Sequence, residues 1–167
     1  ARGEIEHHIP NPRGLPYRSH QVRVRLPNGR RIELVNVHLQ AAATDLNLWS
    51  RDCWRSHHHN RKRRRMEIAL ALQKLEKTNI SPKLPAVIIA GDFNAPAGDR
   101  VYGMLKGEFT DTFSEVGSGW GSTYHRAFPI LRLDHIFASR AFHAARSRVV
   151  TVEESDHRMV ISDLIMK

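Results

Sequence analysis

Residues 85–98 read PAVIIAGDFNAPAG. Ala86 to Ala90 is a continuous apolar run behind a proline, the pattern of a short strand buried on both faces, and Gly91 is expected to end it. An acid, an aromatic and an amide follow at once: Asp92, Phe93 and Asn94. The end of a strand is where a rigid sheet presents reactive groups. An Asx turn would use Asp92 and Asn94 with no chemistry at all, so the stretch has to be read with the rest of the chain.

Upstream, QVRVRLPNGRRIELVNVHLQ alternates apolar and polar residues on either side of Pro27-Asn28-Gly29, which predicts a hairpin of strands Gln21–Leu26 and Arg31–Leu39. Between this hairpin and the apolar run, Ile68, Ala71, Leu72 and Leu75 recur at helical spacing, predicting a helix over 61–77. Its first turns are filled with basic residues, which opposes the helix dipole. Residues 41–60 have no sustained period and are expected to form a loop or irregular insertion. Downstream, a short helix is expected near Val101–Leu105, then strands at 131–138, 147–153 and 158–166. One long helix among many strands predicts a mixed α/β (α+β) layered domain over residues 1–167 rather than a bundle. No repeat or low-complexity linker divides it.

Bulk properties agree with one domain. The 167 residues are 41% hydrophobic, enough for a real core. No run of about eighteen apolar residues is present, and ARGEIEHHIP lacks the apolar stretch of a signal peptide, so the chain as given reads as soluble. The lone Cys53 fits a reducing compartment such as the cytoplasm and equally a secreted protein without bridges. Lys and Arg outnumber Asp and Glu by 26 to 17, a formal charge of +9 that attracts a phosphate-bearing partner, nucleic acid among them.

Four polar clusters lie at or beside predicted strand ends: His38 in NVHL, Asp92 and Asn94 in GDFN, Asp134 in RLDHIF, and Asp156 with His157 in SDH. Singly each has a plain reading: His38 as a satisfied core histidine, Asp134 as a solvent-facing strand residue, Asp156 as a turn acid. Together they supply what metal-assisted phosphoryl chemistry needs. Carboxylates hold a hard cation such as Mg²⁺ or Mn²⁺, which polarises the phosphate. Another carboxylate orients or deprotonates water, and imidazolium or amide donors stabilise charge on the phosphoryl oxygens. No serine elbow, P-loop or paired-cysteine zinc motif competes.

NVHL, GDFN, RLDHIF and SDH, in this order, resemble successive motifs of the endonuclease/exonuclease/phosphatase superfamily. The resemblance covers most of the chain and implies a DNase I-like sandwich of two mixed sheets flanked by helices, with the site at the sheet ends. It further implies that Asp92 activates or orients the nucleophilic water, that Asn94 holds the water or the phosphate, and that His157 contacts the scissile phosphate. By the same resemblance Asp134 pairs with that histidine, Asp156 lies near the metal, and His38 is a further phosphate contact. The general base is Asp92 or the Asp134–His157 pair. Members also carry a glutamate metal ligand ahead of NVHL. Only Glu4, Glu6 and Glu33 precede His38 here, none in a matching context, so the chain resembles the C-terminal part of such a domain, incomplete at its N-terminus. Leu131 stands where abasic-site nucleases of the family have an aromatic, which argues against that specialisation.

RSHHHNRKRRRM, residues 55–66, is the remaining feature. It reads either as a solvated helix start or as a phosphate-binding stripe in which Arg61, Arg64 and Arg65 meet substrate and Trp49 and Trp54 stack on bases. Adjacent His57, His58 and His59 point in different directions on a helix and make a poor metal site. Three functions remain open on sequence: a nuclease-like phosphodiesterase, a hydrolase of phospholipid, inositol phosphate or another small phosphodiester, and a noncatalytic polyanion-binding module.

Overall fold

The computed structural model describes residues 3–9, 19–41, 49–78 and 86–167. Its larger sheet has six strands in the order β1-β2-β3-β4-β7-β5: β1 (Glu4–Ile9), β2 (Ser19–Arg25), β3 (Arg31–His38), β4 (Val87–Asp92), β7 (Asp134–Ser139) and β5 (Phe109–Asp111). The smaller sheet has three, β6 (Gly117–Ser118), β8 (Phe142–Val150) and β9 (Met159–Met166), ordered β6-β8-β9. The helices are α1 (Arg51–Thr78), α2 (Arg100–Gly103) and α3 (Thr112–Val116). Both sheets mix parallel and antiparallel pairs. β7 packs against β8 and β9, which joins the two into a layered sandwich. This is the mixed α/β architecture expected from the strand-rich pattern around one long helix.

The Asn-Gly signal forms the expected antiparallel hairpin. Gly29 has φ +79°, a conformation other residues rarely adopt, and Asn28 Oδ1 accepts from the Arg30 amide at 3.1 Å. From β3 the chain crosses by α1 to β4, which pairs parallel to β3. Alternation then sorts the side chains. Val35, Val37, Val87, Ile89 and Phe137 face α1, where they pack with Ile68, Ala71 and Leu75 in one buried cluster that Phe93, Ala95, Val101 and Leu105 close. Each large member of that cluster contributes about 2–3 kcal/mol by leaving water.

Two expectations need correction. Helix α1 starts at Arg51, not near 61, so residues 51–60 are helical and the basic run lies mid-helix, clear of the N-terminal dipole. Nor does Gly91 end β4. The strand runs through it to Asp92, with Gly91 at φ +136° because β3 passes so close that a Cβ there would lie 2.0 Å from the Val37 carbonyl oxygen. Among the described residues no helix is long and apolar enough to cross a membrane.

Candidate active site

The register of the central strands makes the site. His38 pairs with Asp92 across β3 and β4, and Asp92 pairs with Asp134 across β4 and β7, so the three residues occupy one rung of the sheet. Paired positions across adjacent strands project to the same face, here the face opposite α1. His157, in the turn before β9, comes from the smaller sheet and donates from Nδ1 to Asp134 Oδ2 at 2.7 Å. Asp92, Asp134 and His157 offer ligand atoms that all lie within 4.8 Å of one another.

Each carboxylate is held in place. Asp92 Oδ1 accepts from the Asn94 amide at 2.8 Å, and its Oδ2 accepts from the Asn94 side-chain amide at 2.9 Å. Asn94 Nδ2 also donates to the Leu39 carbonyl at 3.0 Å. Asn94 adopts φ 48°, a left-handed conformation that asparagine tolerates better than most residues. In this arrangement Asn94 Nδ2 donates to both Asp92 and the Leu39 carbonyl, and the asparagine holds the Asp92 carboxylate in place. Asp134 is fixed at its backbone: the hydroxyl of the fully buried Thr123 accepts from the amides of Leu133 and Asp134 at 3.0 and 3.2 Å. Ser155 Oγ accepts from the His157 amide at 3.0 Å, and the Tyr124 ring lies 4.8 Å from the His157 ring. Neither Thr123 nor Tyr124 stands out in the sequence, because their roles depend on a loop folding back.

Electrostatics follow from this crowding. Burial lifts Asp92 above the usual carboxylate range, and the neighbouring Asp134 charge adds to it against the Asn94 amide. Burial works against a charged His157, yet the hydrogen bond to Asp134 and the charges of Asp134, Asp92 and Asp156 outweigh it and hold the imidazolium to a higher pH than usual. His38 is exposed, not a core histidine, and its Nε2 lies 3.7 Å from Asp92 Oδ2. Asp156 is exposed beside His157, outside the compact cluster.

The upstream glutamates lie elsewhere. Glu33 is buried and bonded to Arg23 and Gln21, while on β1 Glu4 pairs with Arg25 of β2 and Glu6 with Arg25 and with Arg31 of β3. Among the described residues no glutamate joins the cluster.

The arginines divide. Arg64, expected to meet substrate, is fully buried: it donates to Asp99 Oδ2 at 2.8 Å and to the Gln40 carbonyl at 3.1 Å, so that expectation is corrected. Glu67 accepts from the Gln40 amide at 3.0 Å. α1 thereby clamps the segment after His38 and, through Asp99, the segment after Asn94. Burial would raise Asp99, but Arg64, the Val101 amide and Arg61 keep it below the ordinary carboxylate range. Arg61 and Arg65 reach the surface, Arg61 lying 3.5 Å from Asp99. Trp54 is 58% exposed and Trp49 97%.

Comparison with solved structures places the fold among known ones. An endonuclease/exonuclease/phosphatase family protein from Bacteroides thetaiotaomicron superposes with TM-score 0.73 at 19% identity, covering 99% of this chain and 66% of that one. The mannosyl-6-phosphatase Bt3783 of Bacteroides thetaiotaomicron VPI-5482 gives 0.68 at 21%, covering 89% and 57%. The human Nocturnin catalytic domain with bound sulfate gives 0.66 at 20%, covering 89% and 53%. The chain thus spans between half and two thirds of the length of these structures. No curated protein matches it in sequence. Residues 4–157, however, match the Endonuclease/Exonuclease/phosphatase family, and the rung of His38, Asp92 and Asp134 closed by His157 lies within that match: the chain belongs to this family.

Proposed function

We propose that the protein is a divalent-metal-dependent phosphodiesterase, nuclease-like in chemistry, which cleaves a P–O bond by attack of water. The observation that carries this reading is the single rung His38–Asp92–Asp134 with His157 bonded to its last member. The donor set fits a hard cation, because two carboxylates and an imidazole crowd within 4.8 Å and burial leaves Asp92 short of compensating charge. Asp134, with Asp156 from just outside the cluster, would hold Mg²⁺ or Mn²⁺, which when bound supplies Lewis-acid polarisation of the phosphate.

The protein's own groups do the rest. Asp92, its carboxylate aimed by Asn94, orients the water and accepts its proton as the oxygen attacks phosphorus. The bond to the leaving oxygen breaks and the leaving alcohol takes a proton from solvent. His157, with Nδ1 committed to Asp134, turns Nε2 toward the phosphate as a donor and stabilises charge on its oxygens. His38 approaches the same phosphate from the other end of the rung.

The test is hydrolysis by the longest native form of the polypeptide of single-stranded and duplex DNA, RNA, inositol phosphates and phospholipid, with and without EDTA. Nucleic-acid cleavage lost on chelation and in Asp92→Ala and His157→Ala is the expected result. Activity surviving both would overturn the reading. Release of lipid head groups or phosphate from inositol phosphates alone would assign the same site to a small phosphorylated substrate.

A further inference from the structure

Helix α1 is far longer than the sheet it covers. Glu67 bonds to Gln40, two residues past His38, so Glu67 marks the level at which β3 ends and the catalytic rung lies. The sixteen residues from Arg51 to Met66 precede that level in a helix antiparallel to β3. At 1.5 Å per residue they extend about 24 Å past the level of the rung, with one face buried at Cys53, Asn60 and Arg64 and the other exposed. The apolar contacts Ile68, Ala71 and Leu75 all fall in the other half.

What the projecting half carries is positive charge beside an aromatic. His58, Arg61, Arg65 and Arg100 line a cleft of about 180 Å³ between α1 and the start of α2, several times the roughly 30 Å³ a water takes in bulk. Among the described residues no carboxylate lines it. Asp99 beneath is 1% exposed at its side chain and engaged by Arg64 and Arg61. Among the described residues neither Arg65 nor Arg100 lies in an ion pair. A second concavity, formed by Arg51, Trp54, Arg55, His58, His59 and Lys62, shares His58 with the first and continues along the helix. Guanidinium groups in series with an exposed indole match a flexible chain that alternates phosphates with aromatic bases.

We infer that the projecting half of α1, with Arg100, is a binding track for single-stranded nucleic acid, in which the cleft of His58, Arg61, Arg65 and Arg100 takes a phosphate and Trp54 a base. That a strand held there is also cut at the rung, on the other face of the sheet, rests on the phosphodiesterase reading. As a binding surface it is measured without turnover.

The experiment is fluorescence-anisotropy binding of a labelled oligothymidylate of about 12 nucleotides to the native polypeptide in EDTA, over a salt series. Arg65→Gln with Arg100→Gln is expected to weaken binding about tenfold or more and to reduce the slope of log affinity against log salt by about 0.7, the share of the one phosphate contact the cleft makes. Trp54→Ala is expected to weaken binding with the salt slope unchanged. Arg140→Gln, at the exposed β7–β8 turn and the opposite end of the sheet from Asp134, is the control for loss of a remote surface charge and is expected to bind as wild type. Circular dichroism establishes that each variant is folded. Wild-type affinity in the double variant would overturn the track, as would an equal loss in the Arg140 control. So would binding to phosphatidylserine vesicles in place of the oligonucleotide. Because the assay needs no cleavage, a protein that binds through α1 yet never hydrolyses would retain the track and lose the phosphodiesterase reading.

Discussion

His157 Nδ1 and Asp134 Oδ2, 2.7 Å apart, join a turn of the smaller sheet to the central strands of the larger one. That bond ties the sandwich together at the site and leaves Nε2 as the ring nitrogen not committed to Asp134. Replacing Asp134 by Asn keeps the shape but removes the charge that orients and holds the imidazolium. Turnover in Asp134→Asn is expected to fall about 10²–10⁴-fold with a smaller change in KM. Steady-state kinetics on the best substrate of the panel checks this, and a loss confined to KM would place Asp134 outside the chemistry.

Gly91 separates the apolar part of β4 from Asp92. An alanine there would face both a positive φ and the Val37 carbonyl at 2.0 Å, with Asn36 Oδ1 at 2.8 Å. Asn36 Oδ1 ends a side chain that can swing away, but the nearest atom, the Val37 carbonyl oxygen, is backbone and cannot. Gly91→Ala is expected to destabilise the protein by about 3 kcal/mol or more. Urea unfolding measures it, and a change under about 0.5 kcal/mol would show that β3 and β4 separate easily.

Arg64 offers a contrasting case, because its charge is entirely internal. Removing it leaves Asp99 buried without its main partner and frees the Gln40 carbonyl. Arg64→Met is expected to cost about 3–5 kcal/mol, the usual penalty for breaking one side of a buried pair. Arg64→Lys is expected to recover only part of this, since an ammonium cannot span Asp99 and Gln40 with a planar fork. Denaturant melts of both variants decide between this and a surface role, for which the two would be nearly neutral.

Asp111 supplies the pH dependence. Burial would raise it, but His135 Nδ1 at 2.9 Å and Arg132 at 2.8 Å hold the carboxyl down to about 2. A depressed folded value stabilises the fold above the unfolded value, and the contribution fades as pH falls from about 4 toward 2. The difference corresponds to about 2 kcal/mol. Asp111→Asn is therefore expected to be markedly less stable than wild type near pH 7, with the gap narrowing below about pH 4. A gap independent of pH would mean that packing, not charge, holds this corner.

Local chemistry made much of the molecule legible in advance. The AVIIA run, the Asn-Gly hairpin and the 68-71-72-75 spacing each carry their own periodicity or turn signal, and all three elements are found. GDFN and SDH announce an acid, an amide and an imidazole in a recognisable order. Residues 51–60 are opaque for a physical reason: the face this half of α1 buries is made of Cys53 and Asn60, followed by Arg64, rather than of aliphatic side chains, and so carries no apolar period. Arg64 looked like its neighbours Arg63 and Arg65 because a row of arginines says nothing about which one turns inward. Facing is set by the 100° step of the helix against a particular pair of loops.

What the sequence determined by itself is the inventory: which strands are apolar enough to be buried, and which polar groups stand at their ends. What only the tertiary structure decided is coincidence in space. His38, Asp92 and Asp134 share a rung because β3, β4 and β7 pair in one register, and a slip of a single residue would send one of them to the face covered by α1. Register is fixed by pairings between residues about 40 to 55 apart in the chain, as His38 with Asp92 and Asp92 with Asp134, so no local stretch contains it.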